Sequence, residues 1–168
     1  MSLSTKVVPT RIVAIYPNTR GFGYAVMESA LDVTEMKLIS PKKFDFNKLL
    51  RLMREVISIH GPATLLLEDC SSKYCRKGAQ TKQLIRSIAA WAKKKEIPLE
   101  HYSREQIQDV FERWNASTKY EIAEVLTRNI DVLESLMFDR PKYPAREPNV
   151  EAIFSAVSMG VTHYFLNR

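Results

Sequence analysis

The chain has 168 residues, 45% of them hydrophobic and 26% charged, which suits a globular domain with a real core and excludes a disordered or fibrous chain. No run approaches the roughly 18 apolar residues of a membrane span, and Met1-Ser2-Leu3-Ser4-Thr5 lacks the apolar block of a secretory signal. Lys and Arg number 25 against 19 Asp and Glu, a net charge of +6. That total is too modest to require a polyanionic partner. Two cysteines, Cys70 and Cys75, are too few for a four-thiolate zinc site or a disulfide framework. The expectation is a single domain over 1–168, reduced and cytoplasmic, with no membrane partner.

In chain order, the apolar run Ile12 to Ile15 ends in Pro17-Asn18, residue types that favour a turn. Gly21 and Gly23 bracket Phe22, and a second apolar run follows. This reads as strand, tight turn, antiparallel strand. A dinucleotide loop is excluded, because its fingerprint needs a third glycine opening a helix, whereas here the chain continues into Tyr24-Ala25-Val26. Asp32 to Ile39 predicts a third strand, broken by Pro41. Leu49, Leu50, Met53, Val56, Ile57 and His60 recur at helical spacing, predicting a helix that starts near Asp45 and stops at Gly61-Pro62. Ala63 to Leu67 is a continuous apolar run, as in a strand buried on both faces. It ends in Glu68-Asp69, which places acids at the carboxyl edge of a sheet, where open α/β sheets bind ligands. Asp69 should point away from Glu68.

From Lys73 to Lys95 the chain carries Lys73, Arg76, Lys77, Lys82, Arg86, Lys93, Lys94 and Lys95 and no acid. Two readings stand: a phosphate-binding footprint, or a solvated helix face. Within this stretch Leu84, Ile85, Ile88, Ala89 and Trp91 form an apolar helical stripe. Tyr74 either stacks on a splayed base or packs on its own loop. Ile97 to Tyr102 predicts a short strand. Ser103-Arg104-Glu105-Gln106 and Thr118-Lys119-Tyr120-Glu121 are capping boxes; the first opens a helix through Trp114, the second one carrying Ile122, Val125, Leu126 and Leu133. Asn149 is the expected cap of a last helix running to about Leu166. On that helix Glu151, Ser155, Ser158 and Thr162 form a polar stripe, which sets Glu151 one turn from Ser155 on the same face. An acid in the first turn is also favoured simply by the helix dipole. Lys119, by contrast, is a cation placed against the dipole by roughly 0.3–1 kcal/mol, which suits either a phosphate site or an indifferent surface position. His60 and His163 read as structural histidines. The order of elements predicts an α/β fold, a mixed β-sheet with helices on both faces.

The stretch Tyr16-Pro17-Asn18-Thr19-Arg20-Gly21-Phe22-Gly23-Tyr24-Ala25-Val26 resembles the opening strand and turn of RuvC-type Holliday-junction resolvases, whose motif runs Asp-Pro-Gly-Ser-Arg and then Gly-Tyr-Gly-Val. Tyr102 to Leu126 aligns with the same family without gaps, including Gln106 and Lys119. Ser155 to His163 resembles its Asp-Ala-Leu-Ala-Ile-Ala-Ile-Thr-His. The resemblance implies a ribonuclease H-like fold and a nuclease that cuts phosphodiesters with two divalent ions about 4 Å apart, held by convergent carboxylates. It places a family carboxylate on Glu68 and a family active-site lysine on Lys119. The other three family aspartates fall on Tyr16, Ala152 and Ser155, none of which is an anionic ligand.

The resemblance therefore implies a protein that binds branched or structured DNA through Arg20, Lys73, Tyr74, Arg76, Lys77, Lys82, Arg86 and Lys119, without normal metal-dependent cleavage and with no resident cofactor. The alternative is an active Mg²⁺- or Mn²⁺-dependent endonuclease using Glu68, Glu151, Lys119 and a further acid such as Asp139 or Glu147. A third is an inactive protein-binding scaffold. The family also implies a homodimer.

Overall fold

The computed structural model describes residues 10–73, 75–142 and 148–167. Its strands are β1 (Ile12–Asn18), β2 (Gly21–Ser29), β3 (Asp32–Ile39), β4 (Thr64–Glu68) and β5 (Leu99–Tyr102), and its α-helices are α1 (Phe46–His60), α2 (Ala79–Lys94), α3 (Arg104–Phe111), α4 (Lys119–Asn129) and α5 (Glu151–Leu166). The strands form one sheet in the order β3-β2-β1-β4-β5. β1, β2 and β3 pair antiparallel, whereas β1 with β4 and β4 with β5 are parallel. This is the mixed sheet the element order predicts.

Period-two alternation divides the sheet residues between two cores. Val13, Ile15, Phe22, Val26, Leu65 and Leu67 pack beneath α1 and α2. Ile12, Ala14, Tyr16, Ala25, Met27 and Leu66 face α3, α4 and α5. The last helix is buried continuously from Glu151 to Thr162, so it is the central element of its layer rather than a surface helix. Among the described residues no helix is long and apolar enough to cross a membrane.

Two glycines set the approach of main chain to main chain at this end of the sheet. Gly21, in the β1–β2 turn, has φ +151°, and a Cβ there would fall 1.9 Å from the Ile39 carbonyl oxygen. Gly23 pairs with Tyr16 across the sheet, and a Cβ there would lie 2.5 Å from the Ala152 carbonyl carbon. Backbone thus meets backbone where α5 begins, and the first turn of that helix sits directly on the sheet.

Most boundaries match the sequence reading. Asp45 caps α1, its side chain accepting from the Lys48 amide, and Gly61 ends that helix. Both capping boxes are formed. Three expectations are corrected. Asn149 does not cap α5: the preceding residue is Val150, with no side-chain cap, and the Asn149 amide donates to Ser40 while its carbonyl accepts from Asn18. The helix expected through Trp114 is α-helical only to Phe111 and finishes as a 3₁₀ turn over Glu112–Trp114. The helix expected to carry Leu133 stops at Asn129, and Leu133 is buried from a separate 3₁₀ segment, Asp131–Leu136. In both cases apolar spacing persists across a break in the hydrogen-bond ladder.

Candidate nucleic-acid interface

The parallel register pairs Ala14 with Leu66. Two residues further along both strands, Tyr16 and Glu68 stand on the same face at the carboxyl edge. Both are buried, at 8% and 6% exposure. The N-terminal ends of α4 and α5 close over this edge and bring Lys119 and Glu151 to it, with Ser155 one turn further along α5.

The chemistry there is a lattice of paired charges around one aromatic ring. Lys77 places its ammonium 3.5 Å from the centroid of the Tyr16 ring, 3.9 Å from Glu68 Oε2, and donates to the Pro17 carbonyl at 2.8 Å. Lys119 donates to the Tyr16 hydroxyl at 3.1 Å and lies 3.8 Å from Glu151 Oε2. The Ser155 hydroxyl donates to the Glu151 carboxylate, 2.9 and 2.8 Å from its two oxygens. A cation over an aromatic face gains more once desolvated, and a buried carboxylate is tolerable only when paired and hydrogen-bonded. Each buried acid here has both an ammonium and a hydrogen-bonded neighbour.

Glu151 therefore does more than complement the helix dipole, since it points into the pocket beside Ser155. The rest of the polar stripe does not follow it. Ser158 and Thr162 donate to the Ser155 and Ser158 carbonyls within their own helix. Lys119 turns inward, and the Glu121 carboxylate of the capping box occupies the Ser117 and Thr118 amides. Those two amides are not open to a phosphate. Hydrogen bonds from the Thr118 and Ser117 amides hold the Glu121 carboxyl below its usual range.

Asp69 leaves the strand and accepts from the Ser71 amide and hydroxyl. The hydroxyl, first, and the amide lower its pKa. Asp139 is exposed, unlike the two pocket acids. Ala152 is buried against Gly23 and offers no ligand atom. Tyr74 and Glu147 lie outside the described residues.

The basic block is not one patch. Lys73, Arg76 and Lys77 occupy the loop after β4, at the pocket's edge, and Arg20 is exposed on the neighbouring β1–β2 turn. Lys82 and Arg86 follow on α2. Lys93, Lys94 and Lys95 lie at the far end of that 16-residue helix, about 24 Å away at 1.5 Å per residue. The charge run of the sequence thus splits between opposite ends of the sheet.

Sequence reasoning missed the neighbours of Glu68. Cys70 and Cys75 donate to Glu68 Oε2, each at 3.4 Å, with their sulfurs 2.6 Å apart. Burial, followed by contact with Cys75 and Glu68, raises the Cys70 thiol pKa. The available signal was the placement of two thiols within seven residues of the strand-end acid. His60 and His163 are structural as expected: His60 Nε2 lies 2.6 Å from Glu35, and His163 Nδ1 is 2.7 Å from the Tyr102 hydroxyl.

Pairs of hard divalent ions require several oxygen anions around a shared space. This pocket offers two carboxylates, each facing an ammonium, and a tyrosine, an alanine and a serine at the remaining positions. The residues do not fit a two-metal centre of hard cations.

No family model matches the sequence, and no curated protein matches it. Solved structures do. Thermus thermophilus RuvC in complex with Holliday junction substrate is similar over 95% of this chain and 95% of its own, with TM-score 0.65 and 15% identity. The yeast mitochondrial Holliday junction resolvase Ydc2 matches 95% of this chain and 81% of its own (TM-score 0.58, 13% identity). The fowlpox virus resolvase, solved with Holliday junction DNA, matches 94% and 98% (TM-score 0.51, 16% identity). The chain has the ribonuclease H-like fold shared by these Holliday-junction resolvases.

Proposed function

We propose that this chain binds branched DNA at the carboxyl edge of its sheet and does not cleave it by the two-metal route. The observation that carries this reading is the position of two ammonium groups, those of Lys77 and Lys119, around Tyr16 and beside the pocket's two carboxylates. They neutralise the acids that a pair of metal ions would need. Arg20, Lys73 and Arg76 are exposed around the same edge and supply the phosphate contacts. The resolvases of T. thermophilus and fowlpox virus, whose structures hold Holliday junction DNA, share the frame. Two copies of the chain acting as a homodimer suit the two-fold character of a four-way junction.

A gel shift with four-way junction, duplex and single-stranded DNA tests the reading. The junction should be retained at low salt and released as salt rises, because phosphate contacts displace counterions. Absence of any shift at low salt overturns it. Incubation with Mg²⁺ or Mn²⁺ tests the second clause: cutting above a mock preparation that disappears in Glu68→Gln would restore the active-nuclease reading, which the burial of both Glu68 and Glu151 in one pocket favours.

A further inference from the structure

We infer that Glu68, Cys70 and Cys75 form a binding site for one soft or borderline divalent cation of the zinc class. One ligand atom from each of these residues lies within 4.8 Å of the other two. The inference is independent of whether the chain binds nucleic acid.

Ligand chemistry selects the ion. Two sulfurs and one carboxylate oxygen suit Zn²⁺ and its analogues, whereas Mg²⁺ and Ca²⁺ demand oxygen throughout. Around a tetrahedral zinc, with Zn–S about 2.3 Å and Zn–O about 2.0–2.2 Å, a sulfur and an oxygen ligand stand roughly 3.6 Å apart. Glu68 Oε2 is 3.4 Å from both sulfurs. The two sulfurs, at 2.6 Å, must separate to about 3.8 Å on binding; a rotation of the partly buried Cys75 side chain, in the loop after β4, would supply that change. A water completes the tetrahedron.

Charge also fits. Two thiolates and a carboxylate carry three negative charges, the ion two positive ones, and the Lys77 ammonium beside Glu68 Oε2 supplies the third. The same lysine that disfavours a pair of hard cations makes this single site neutral. Glu68 is buried and both cysteines are partly buried, so the ion would be shielded from competing solvent ligands. Binding would clamp the loop between Cys70 and Cys75, two residues before Lys77, and so fix the ammonium that rests on the Tyr16 ring.

The test is Co²⁺ titration of the fully reduced chain, followed by Zn²⁺ displacement. One equivalent should produce a thiolate-to-cobalt charge-transfer band and the visible bands of a tetrahedral site, both abolished by zinc. Cys70→Ser and Cys75→Ser should each weaken cobalt binding by more than ~100-fold, beyond the loss that changes outside the ligand shell bring. Glu68→Gln should keep the charge-transfer band but weaken binding. Circular dichroism of each variant reports folding, and saturating zinc should raise the melting temperature of the parent chain but not of the folded cysteine variants. A reduced, folded parent without the charge-transfer band overturns the inference, as does a band that survives in both cysteine variants. Loss of two hydrogen atoms (about 2 Da) on treatment with oxidised glutathione, which takes up the two protons and two electrons, with no cobalt uptake when reduced, overturns it in favour of a dithiol–disulfide pair.

Discussion

Lys119, the first residue of α4, donates to the hydroxyl of Tyr16 at 3.1 Å, joining residues 103 apart in sequence. Its helix dipole opposes a cation there, yet the Glu151 carboxylate at 3.8 Å and the Tyr16 ring at 5.4 Å more than offset that small penalty. The pocket thus holds its lysine through tertiary contacts against local preference.

Lys119→Met should lower stability by about 2 kcal/mol, less than the roughly 3–5 kcal/mol of a fully buried broken pair, because Lys119 keeps 26% of its side-chain surface exposed. Adding Glu151→Gln should recover part of the loss. Urea denaturation of both single variants and the double gives the coupling, expected at about 1 kcal/mol or more. Strict additivity would show that the two charges do not interact.

Gly23→Ala should be among the most damaging small changes in the chain. The added carbon would lie 2.5 Å from the Ala152 carbonyl carbon, and backbone cannot give way as a flexible side chain does. Overpacking of this kind costs about 1–3 kcal/mol, to be read as a lower denaturation midpoint at unchanged slope.

His163 gives the fold a pH dependence. Burial lowers its pKa below the ordinary 6.5, with Glu100 opposing weakly; Tyr102, Tyr164 and Asn167 pack or bond around its ring. The unfolded chain takes up the proton first, so this residue's contribution is complete above the unfolded value. It is lost as pH falls from 6.5 toward the folded value. Thermal melts across that window should show a decline that His163→Gln flattens.

Splitting the basic run in two makes a prediction about DNA. Lys73→Ala and Arg76→Ala should each reduce the slope of log affinity against log salt by about 0.9 for every phosphate the side chain had neutralised. Replacing Lys93, Lys94 and Lys95 together should leave the slope unchanged, because they lie at the other end of α2. Equal effects from both sets would mean that DNA lies along the whole helix.

Much of this was legible in the chain. Alternating and continuous apolar runs located the strands. Asp45, Ser103 and Thr118 marked helix starts because caps act locally, within three residues. Glu68 at a strand end located the pocket's edge. The rest depended on long-range geometry. Whether Glu151 merely served its helix dipole or faced the pocket depended on how α5 docks on Gly23, which residue spacing does not encode. Lys77 resembled seven other basic residues until the fold placed its ammonium on the Tyr16 ring. The thiols at positions 70 and 75 gained meaning only from their distance to Glu68. Asn149 satisfied a local capping rule and lost to tertiary partners, Asn18 and Ser40.

The meeting of Gly23 with the Ala152 carbonyl has one more consequence. The spacing between sheet and last helix is fixed by main chain on main chain, so it does not depend on the identities of the groups lining the cleft. Exchanges at positions 16, 151 and 155 leave that backbone contact in place. Main chain thus sets the frame of this edge, and the side chains at positions 16, 151 and 155 set its chemistry separately.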